Sequence, residues 1–186
     1  MTAPARAADT AELTPAQLAR EVRRFASSSA LWVSRIRFTT PERFYIRLAH
    51  SHTYEVWLLT WLPGQGTDIH DHGGASGAFS VVQGELTEGT FAPGAVVPPK
   101  SWRLPTGGIR SFGPRHIHQV HNENDSPAVS IHAYSPALAT MSYYRELPGE
   151  GGIELIRTST VDSTDDLDAL AHSPDLDSSD HRDGQA

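Results

Sequence analysis

The chain has 186 residues, of which 38% are hydrophobic, and a formal net charge of −7. That length is enough for one domain with a sizeable core. The absence of cysteine excludes disulfides and thiolate metal sites, and every apolar run falls short of the roughly 18 residues that a membrane span needs.

The charge is concentrated at one end. Residues 162–186 hold eight aspartates against one arginine, whereas the preceding residues carry 14 acidic and 14 basic side chains. A neutral body of this kind has no basic footprint for nucleic acid. Residues 1–9 are Ala-rich without an apolar signal core, and Ser27-Ser28-Ser29 follows Arg23-Arg24 where a twin-Arg signal would need apolar residues. The expectation is a cytoplasmic chain with no membrane partner. Residues 1–12 are expected to be disordered, residues 13–160 to form one domain, and residues 161–186 to be an acidic, disordered tail.

Thr14-Pro15 opens a helix, with Thr as N-cap and Pro at the first helical position. Leu18, Val22 and Phe25 form its apolar stripe, and it is expected to end near Ser27. A second short helical or irregular piece covers residues 30–36. Strands follow over 44–48 and 54–62, which are rich in branched and aromatic residues, and over 70–72, 78–83, 86–91, 102–104, 109–112, 117–121 and 128–134, with turn signals between them. The pieces at 78–83 and 86–91 flank Gly84-Glu85 and read as a hairpin. Residues 93–100 read as a loop, 141–147 and 153–156 as a last strand or two, and 162–171 as a weak helix. Short strands at this spacing predict an all-β sandwich or small barrel with one or two N-terminal helices.

Eight of the ten histidines lie between positions 50 and 132. His50 and His52 fall in a polar turn, and His172 and His181 in the acidic tail; all four read as solvated. His70 and His72, read as strand residues, would point to one side while Asp71 points away. His116 and His118 share a face in the same reading, and His121 takes the other. A His-x-His pair with a further histidine cluster after Gly113-Pro114 suits a divalent transition metal, with Fe, Mn, Co, Ni, Cu and Zn all open. Three protein ligands would leave positions for substrate, which is the catalytic arrangement. Ser130, His132 and Tyr134 alternate on one strand and turn three hydrogen-bonding groups to one face, opposite Val129, Ile131 and Ala133. A Ser/His/Asp hydrolase is disfavoured because no Gly-x-Ser-x-Gly elbow is present.

These motifs carry a resemblance. Gly64-x5-His70-x-His72 with Gly84, and Gly108-x5-Pro114 with His118 and Asn122, resemble the two cupin motifs. The Glu ligand of the first motif is absent, with Gly77 in its place, and His118 follows Pro114 one residue early. Ser130-Ile131-His132-Ala133-Tyr134-Ser135-Pro136 resembles the Ser-x-His-x-Tyr-Ser-Pro strand of the thiol dioxygenases, and Tyr45-Ile46-Arg47 their carboxylate-binding segment. The chain thus resembles bacterial cysteine dioxygenases over residues 43–137.

The resemblance implies a cupin, a double-stranded β-helix or jelly-roll barrel. It implies Fe(II) on His70, His72 and His118, with a small thiol and O2 as the molecules it acts on. It assigns the substrate carboxylate to Arg47, with Tyr45 and Tyr134 beside it, and catalytic supporting roles to Tyr134, His132 and Ser130. An Arg at the carboxylate position goes with cysteine in this family, and Gln with 3-mercaptopropionate. By its residues alone, Arg47 would be a surface side chain. Gly77 stands where the mammalian enzymes have a Cys crosslinked to the Tyr, so Tyr134 is expected to be a free phenol. The expected assembly is a monomer or weak homo-oligomer. The alternatives are a dioxygenase of 3-mercaptopropionate or another small thiol, a cupin isomerase or Zn hydrolase, and a non-catalytic cupin that binds a metal or small carboxylate.

Overall fold

The computed structural model describes residues 11–92, 100–147 and 152–161, and the expectations for residues 1–10, 93–99 and 162–186 lie outside them. Helix α1 (Pro15–Ser27) starts as its sequence dictates. Thr14 Oγ1 accepts from the Gln17 N–H, and Gln17 Oε1 accepts in return from the Thr14 N–H at 2.9 Å, a capping box ahead of Pro15. Leu18, Val22 and Phe25 are buried on its inner face; each such side chain contributes about 1.5–3 kcal/mol by leaving water. The piece after α1 is two 3-10 turns, Ser29–Leu31 and Val33–Arg35, rather than one continuous element.

Eleven strands follow among the described residues: β1 (Tyr45–His50), β2 (Glu55–Trp61), β3 (Ile69–His70), β4 (Ser76–Gln83), β5 (Glu85–Phe91), β6 (Lys100–Pro105), β7 (Ile109–Phe112), β8 (Ile117–His121), β9 (Ala128–Ser135), β10 (Thr140–Glu146) and β11 (Ile153–Thr160). They form a five-stranded sheet in the order β1-β2-β9-β4-β7 and a six-stranded sheet in the order β11-β10-β3-β8-β5-β6. The pairings are antiparallel. The molecule is a two-sheet cupin, a double-stranded β-helix with an N-terminal helix. No helix among the described residues is long and apolar enough to cross a membrane.

The expected hairpin at Gly84 does not form. β4 pairs with β7 and β9, whereas β5 pairs with β6 and β8 in the other sheet. Gly84 has φ +74°, and a Cβ there would lie 2.8 Å from the Pro127 carbonyl oxygen. The glycine therefore lets the chain pass tightly from one sheet to the other; it does not reverse the chain within a sheet.

The alternation of β9 sorts its side chains between two cores. Val129, Ile131 and Ala133 pack with Val56, Leu58 and Ala78 under Leu18, Val22 and Phe25 of α1. The opposite face of the same strand looks into the space between the sheets, where Trp57, Leu59 and Trp61 of β2 and Phe79 and Val81 of β4 lie beside it. β9 is thus buried along its whole length, with Ser130, His132 and Tyr134 on the inner side.

Candidate metal centre

His70 and His118 meet because β3 and β8 pair directly through them. Side chains opposite one another in an antiparallel pair start about 4.5–5.5 Å apart at Cβ. The two ring centroids lie 4.7 Å apart. His72 joins them by a different route from the strand alternation expected. β3 ends at His70, and Gly73 (φ +58°) and Gly74 (φ +93°) turn the chain so that the Ala75 N–H donates to the His72 carbonyl. His72 then sits 4.9 Å from His70 and 5.1 Å from His118 by ring centroid. One ligand nitrogen from each of the three histidines falls within 4.8 Å of the others. Asp71, also past the end of β3, is held by the Tyr144 hydroxyl at 2.6 Å and the Gly73 N–H at 2.8 Å.

The donor set fits a metal ion. Neither ring nitrogen of His72 has a hydrogen-bond partner, although both are buried, a costly arrangement unless a ligand takes a lone pair. His70 Nδ1 donates to the Asp68 carbonyl at 2.8 Å and His118 Nδ1 donates to Glu88 Oε1 at 2.8 Å. Each bond places the proton on Nδ1 and leaves Nε2 as the free lone pair, as metal-ligating histidines require. Burial, reinforced by the neighbouring imidazoles, pushes the pKa values of His70 and His72 far below the ordinary value. Burial also lowers His118, against the pull of Glu88. All three are neutral bases near pH 7. The site is a three-histidine metal-binding site.

Behind it lies a charged network that sequence reasoning missed. Glu88 has no solvent exposure and accepts from His116 Nε2 at 2.9 Å, His118 Nδ1 at 2.8 Å and Arg110 Nε at 2.6 Å. Burial alone would raise its carboxyl, but the hydrogen bonds from His116, His118 and Arg110, with the electrostatic pull of His118, hold it well below the usual carboxylate range. The signal was faint. Glu88 has the same strand parity as Leu86, so an inward-facing acid could have been read from β5. His116 therefore joins His118 through Glu88 and lies outside the three-histidine set.

A cavity opens beside His70 and His118, lined also by Arg43, Tyr45, Trp61, Asp68, His132 and Tyr134. The inner face of β9 forms a hydrogen-bonded row. Ser130 Oγ lies 2.8 Å from His132 Nε2, and His132 Nδ1 lies 3.3 Å from the Tyr134 hydroxyl. Burial and the nearby His118 and Arg43 push the His132 pKa down to about 3, and burial raises that of Tyr134. Both are neutral, and Tyr134 is a free phenol in a chain without cysteine.

Arg47, the expected carboxylate anchor, is not among the residues that line this cavity. It pairs with Glu55 at 3.7 Å and lies over the Trp57 ring at 5.4 Å. Tyr45 and Arg47 share a strand face, but the face does not decide which guanidinium reaches the site. Arg43 lies four residues earlier, ahead of the first residue of β1. Its guanidinium is buried, lies 4.6 Å over the Trp61 ring and lines the cavity. Its closeness to Tyr45 in sequence could have indicated it.

A cupin barrel with three converging imidazoles and a cavity that combines a guanidinium, a phenol and apolar walls defines a class of mononuclear metal-site cupins. The sequence model described as cysteine dioxygenase type I matches residues 10–147, and the chain belongs to that family, one of thiol dioxygenases within the cupin superfamily. Solved structures with a similar chain trace include a protein from Thermus thermophilus (23% identity, 56% of this chain and 94% of that one, TM-score 0.49). Another is a Klebsiella pneumoniae protein with a double-stranded β-helix domain (18% identity, 67% and 93%, TM-score 0.46). A third is a cupin superfamily protein from Desulfitobacterium hafniense (15% identity, 56% and 87%, TM-score 0.47).

Proposed function

We propose that the chain is an Fe(II)-dependent dioxygenase that converts L-cysteine and O2 to cysteine sulfinate. The observation that supports it most is a single cavity with neutral imidazoles at one end and a buried guanidinium, Arg43, on its wall. When held by His70, His72 and His118, Fe(II) supplies the redox chemistry that joins a thiol sulfur to both atoms of O2. The balance is RSH + O2 → RSO2H, with no other reductant consumed.

The protein's own groups bind and orient. Arg43 offers a planar, permanently charged fork that takes a carboxylate bidentately, and in a desolvated wall that pairing is strong. Its position fixes which end of the substrate points toward the imidazoles. Tyr134 stays protonated and offers its hydroxyl to the same region, with His132 and Ser130 holding it in place. Leu59, Val120, Leu138 and Met141 supply apolar wall that keeps water from the reacting sulfur.

The carboxylate anchor would serve 3-mercaptopropionate equally. Asp68 also lines the cavity, but its carboxylate is half-exposed and already faces Arg157 at 3.9 Å, so the preference between the two thiols is decided by experiment. The test is oxygen uptake by anaerobically iron-loaded protein with each thiol at equal concentration, with products identified by mass. Uptake with cysteine and a product heavier by two oxygen atoms is expected. Preference for 3-mercaptopropionate would overturn the substrate, and no uptake with either would leave a binding protein.

A further inference from the structure

Trp61 ends β2 with no solvent exposure and lines the cavity. Its Nε1 donates to Ser130 Oγ at 2.8 Å, and its ring lies under the Arg43 guanidinium. We propose that Trp61 is a positioning residue that sets the direction of the hydrogen bonds running through Ser130 and His132, so that the Tyr134 hydroxyl hydrogen points into the cavity. The proposal rests on the reading of Tyr134 as a substrate-facing donor.

The direction follows from which groups can donate. An indole N–H donates and never accepts, so Ser130 Oγ is the acceptor in that contact, and its own hydrogen cannot point at the indole. The other side-chain partner within reach of the hydroxyl is His132 Nε2, at 2.8 Å. If Ser130 donates there, Nε2 is the bare nitrogen, and neutral His132 carries its proton on Nδ1. Nδ1–H then donates to the Tyr134 oxygen at 3.3 Å, and the phenol hydrogen is left for the cavity.

The reverse direction would have Nε2–H donate to Ser130. The serine oxygen would then accept twice, and its buried hydrogen would face a donor on one side and a donor on the other. A buried hydroxyl hydrogen without a partner is disfavoured, so Trp61 excludes that arrangement. His132 is available for this role because its pKa lies at about 3, which keeps one nitrogen bare at neutral pH. The stacked Phe79 ring, 4.9 Å away and inclined by 10°, confines the imidazole plane without offering a polar group.

The tautomer can be read without thiol or O2. Nitrogen-15 NMR of histidine-labelled, metal-free protein, repeated after loading with diamagnetic Zn(II), distinguishes a protonated from a bare ring nitrogen. In the wild-type protein His132 is expected to show Nδ1 protonated and Nε2 bare, in both forms. In Trp61→Phe, which keeps an aromatic ring but has no donor, the two nitrogens should move toward averaged values, and kcat/KM of the iron-loaded enzyme should fall about tenfold. Ser130→Ala, which cuts the same link one step further on, should release the tautomer in the same way and covers the case in which Trp61→Phe does not fold. A wild-type His132 protonated on Nε2 would overturn the proposal, as would a folded Trp61→Phe whose His132 keeps the wild-type tautomer. Because the spectrum needs no turnover, absence of oxygen uptake would count against the dioxygenase reading alone.

Discussion

Glu88 receives the Nδ1 proton of His118 at 2.8 Å from a position with no solvent exposure. One carboxylate oxygen is shared between His116 and His118, and the other takes Arg110 at 2.6 Å. The negative charge is stable there because three donors replace the water it has lost. It holds the His118 ring with Nε2 toward the other two histidines. Glu88→Gln keeps the volume and removes the charge. It should weaken metal binding about 10–100-fold, as loss of a partner behind a ligating histidine typically does. Titration of the metal-free protein with Fe(II) under anaerobic conditions measures this, and an unchanged affinity would assign Glu88 to folding alone.

Gly77 sits directly against Phe112 and Tyr134. A Cβ there would run into the Phe112 ring and lie 3.1 Å from Tyr134 Cδ1. The Phe112 ring is itself stacked on His72 and His116, with centroids 5.2 and 4.4 Å away, so it cannot move without disturbing the site. Gly77→Ala should cost about 1–3 kcal/mol, the usual range for overpacking, read by urea unfolding. Combining it with Phe112→Leu should recover part of the loss, because the smaller side chain vacates the contested space.

Arg43 and Arg47 make opposite predictions. Removing the cavity-lining guanidinium in Arg43→Gln should raise the thiol KM by at least about tenfold, equivalent to about 1.4 kcal/mol of lost binding. Arg47→Gln breaks the pair with Glu55 and the contact with the Trp57 ring, made by an arginine that is 30% exposed, and should leave KM nearly unchanged. Steady-state kinetics on the two variants decide between the residues. The reverse outcome would return the substrate anchor to Arg47.

Stability of the metal-free protein should fall as the solution is acidified. His70, His72 and His132 have folded-state pKa values below the 6.5 of the free side chain. Below about pH 6.5 the unfolded chain therefore binds protons that the folded one refuses, which favours unfolding by up to about 1.4 kcal/mol per pH unit for each group. Glu88 acts in the same direction at lower pH. Its depressed carboxyl stabilises the fold above about 4.5, and that contribution is lost as pH falls toward its folded value. Urea unfolding at pH 7.5, 6 and 5 tests this; a flat profile would mean that the histidines are far less buried than in this structure. Saturating metal should add about 2.7 kcal/mol at a hundredfold excess over Kd.

Much of this protein was legible in the order of its residues. The Thr14-Pro15 start and apolar stripe of α1, the bounds of β7 and β8, and the inward row Ser130, His132 and Tyr134 are written in local periodicity and turn chemistry, which act over a few residues. The His70/His72 pair and the cluster at 116–121 were legible because few side chains bind transition metals, and the resemblance to the cupin motifs singled out His118. Other features depended on contacts between distant segments. Arg43 and Arg47 lie on either side of Tyr45 in sequence, and only the packing of this segment against the rest of the barrel brings one guanidinium to the cavity and the other to Glu55. Glu88 meets His118 because β5 lies beside β8, and Gly84 passes the chain between sheets because β4 and β5 find partners elsewhere. Local propensity sets which way a side chain turns; which group it meets is set by register and by the crossing of sheets, and these are decided by packing across the whole fold.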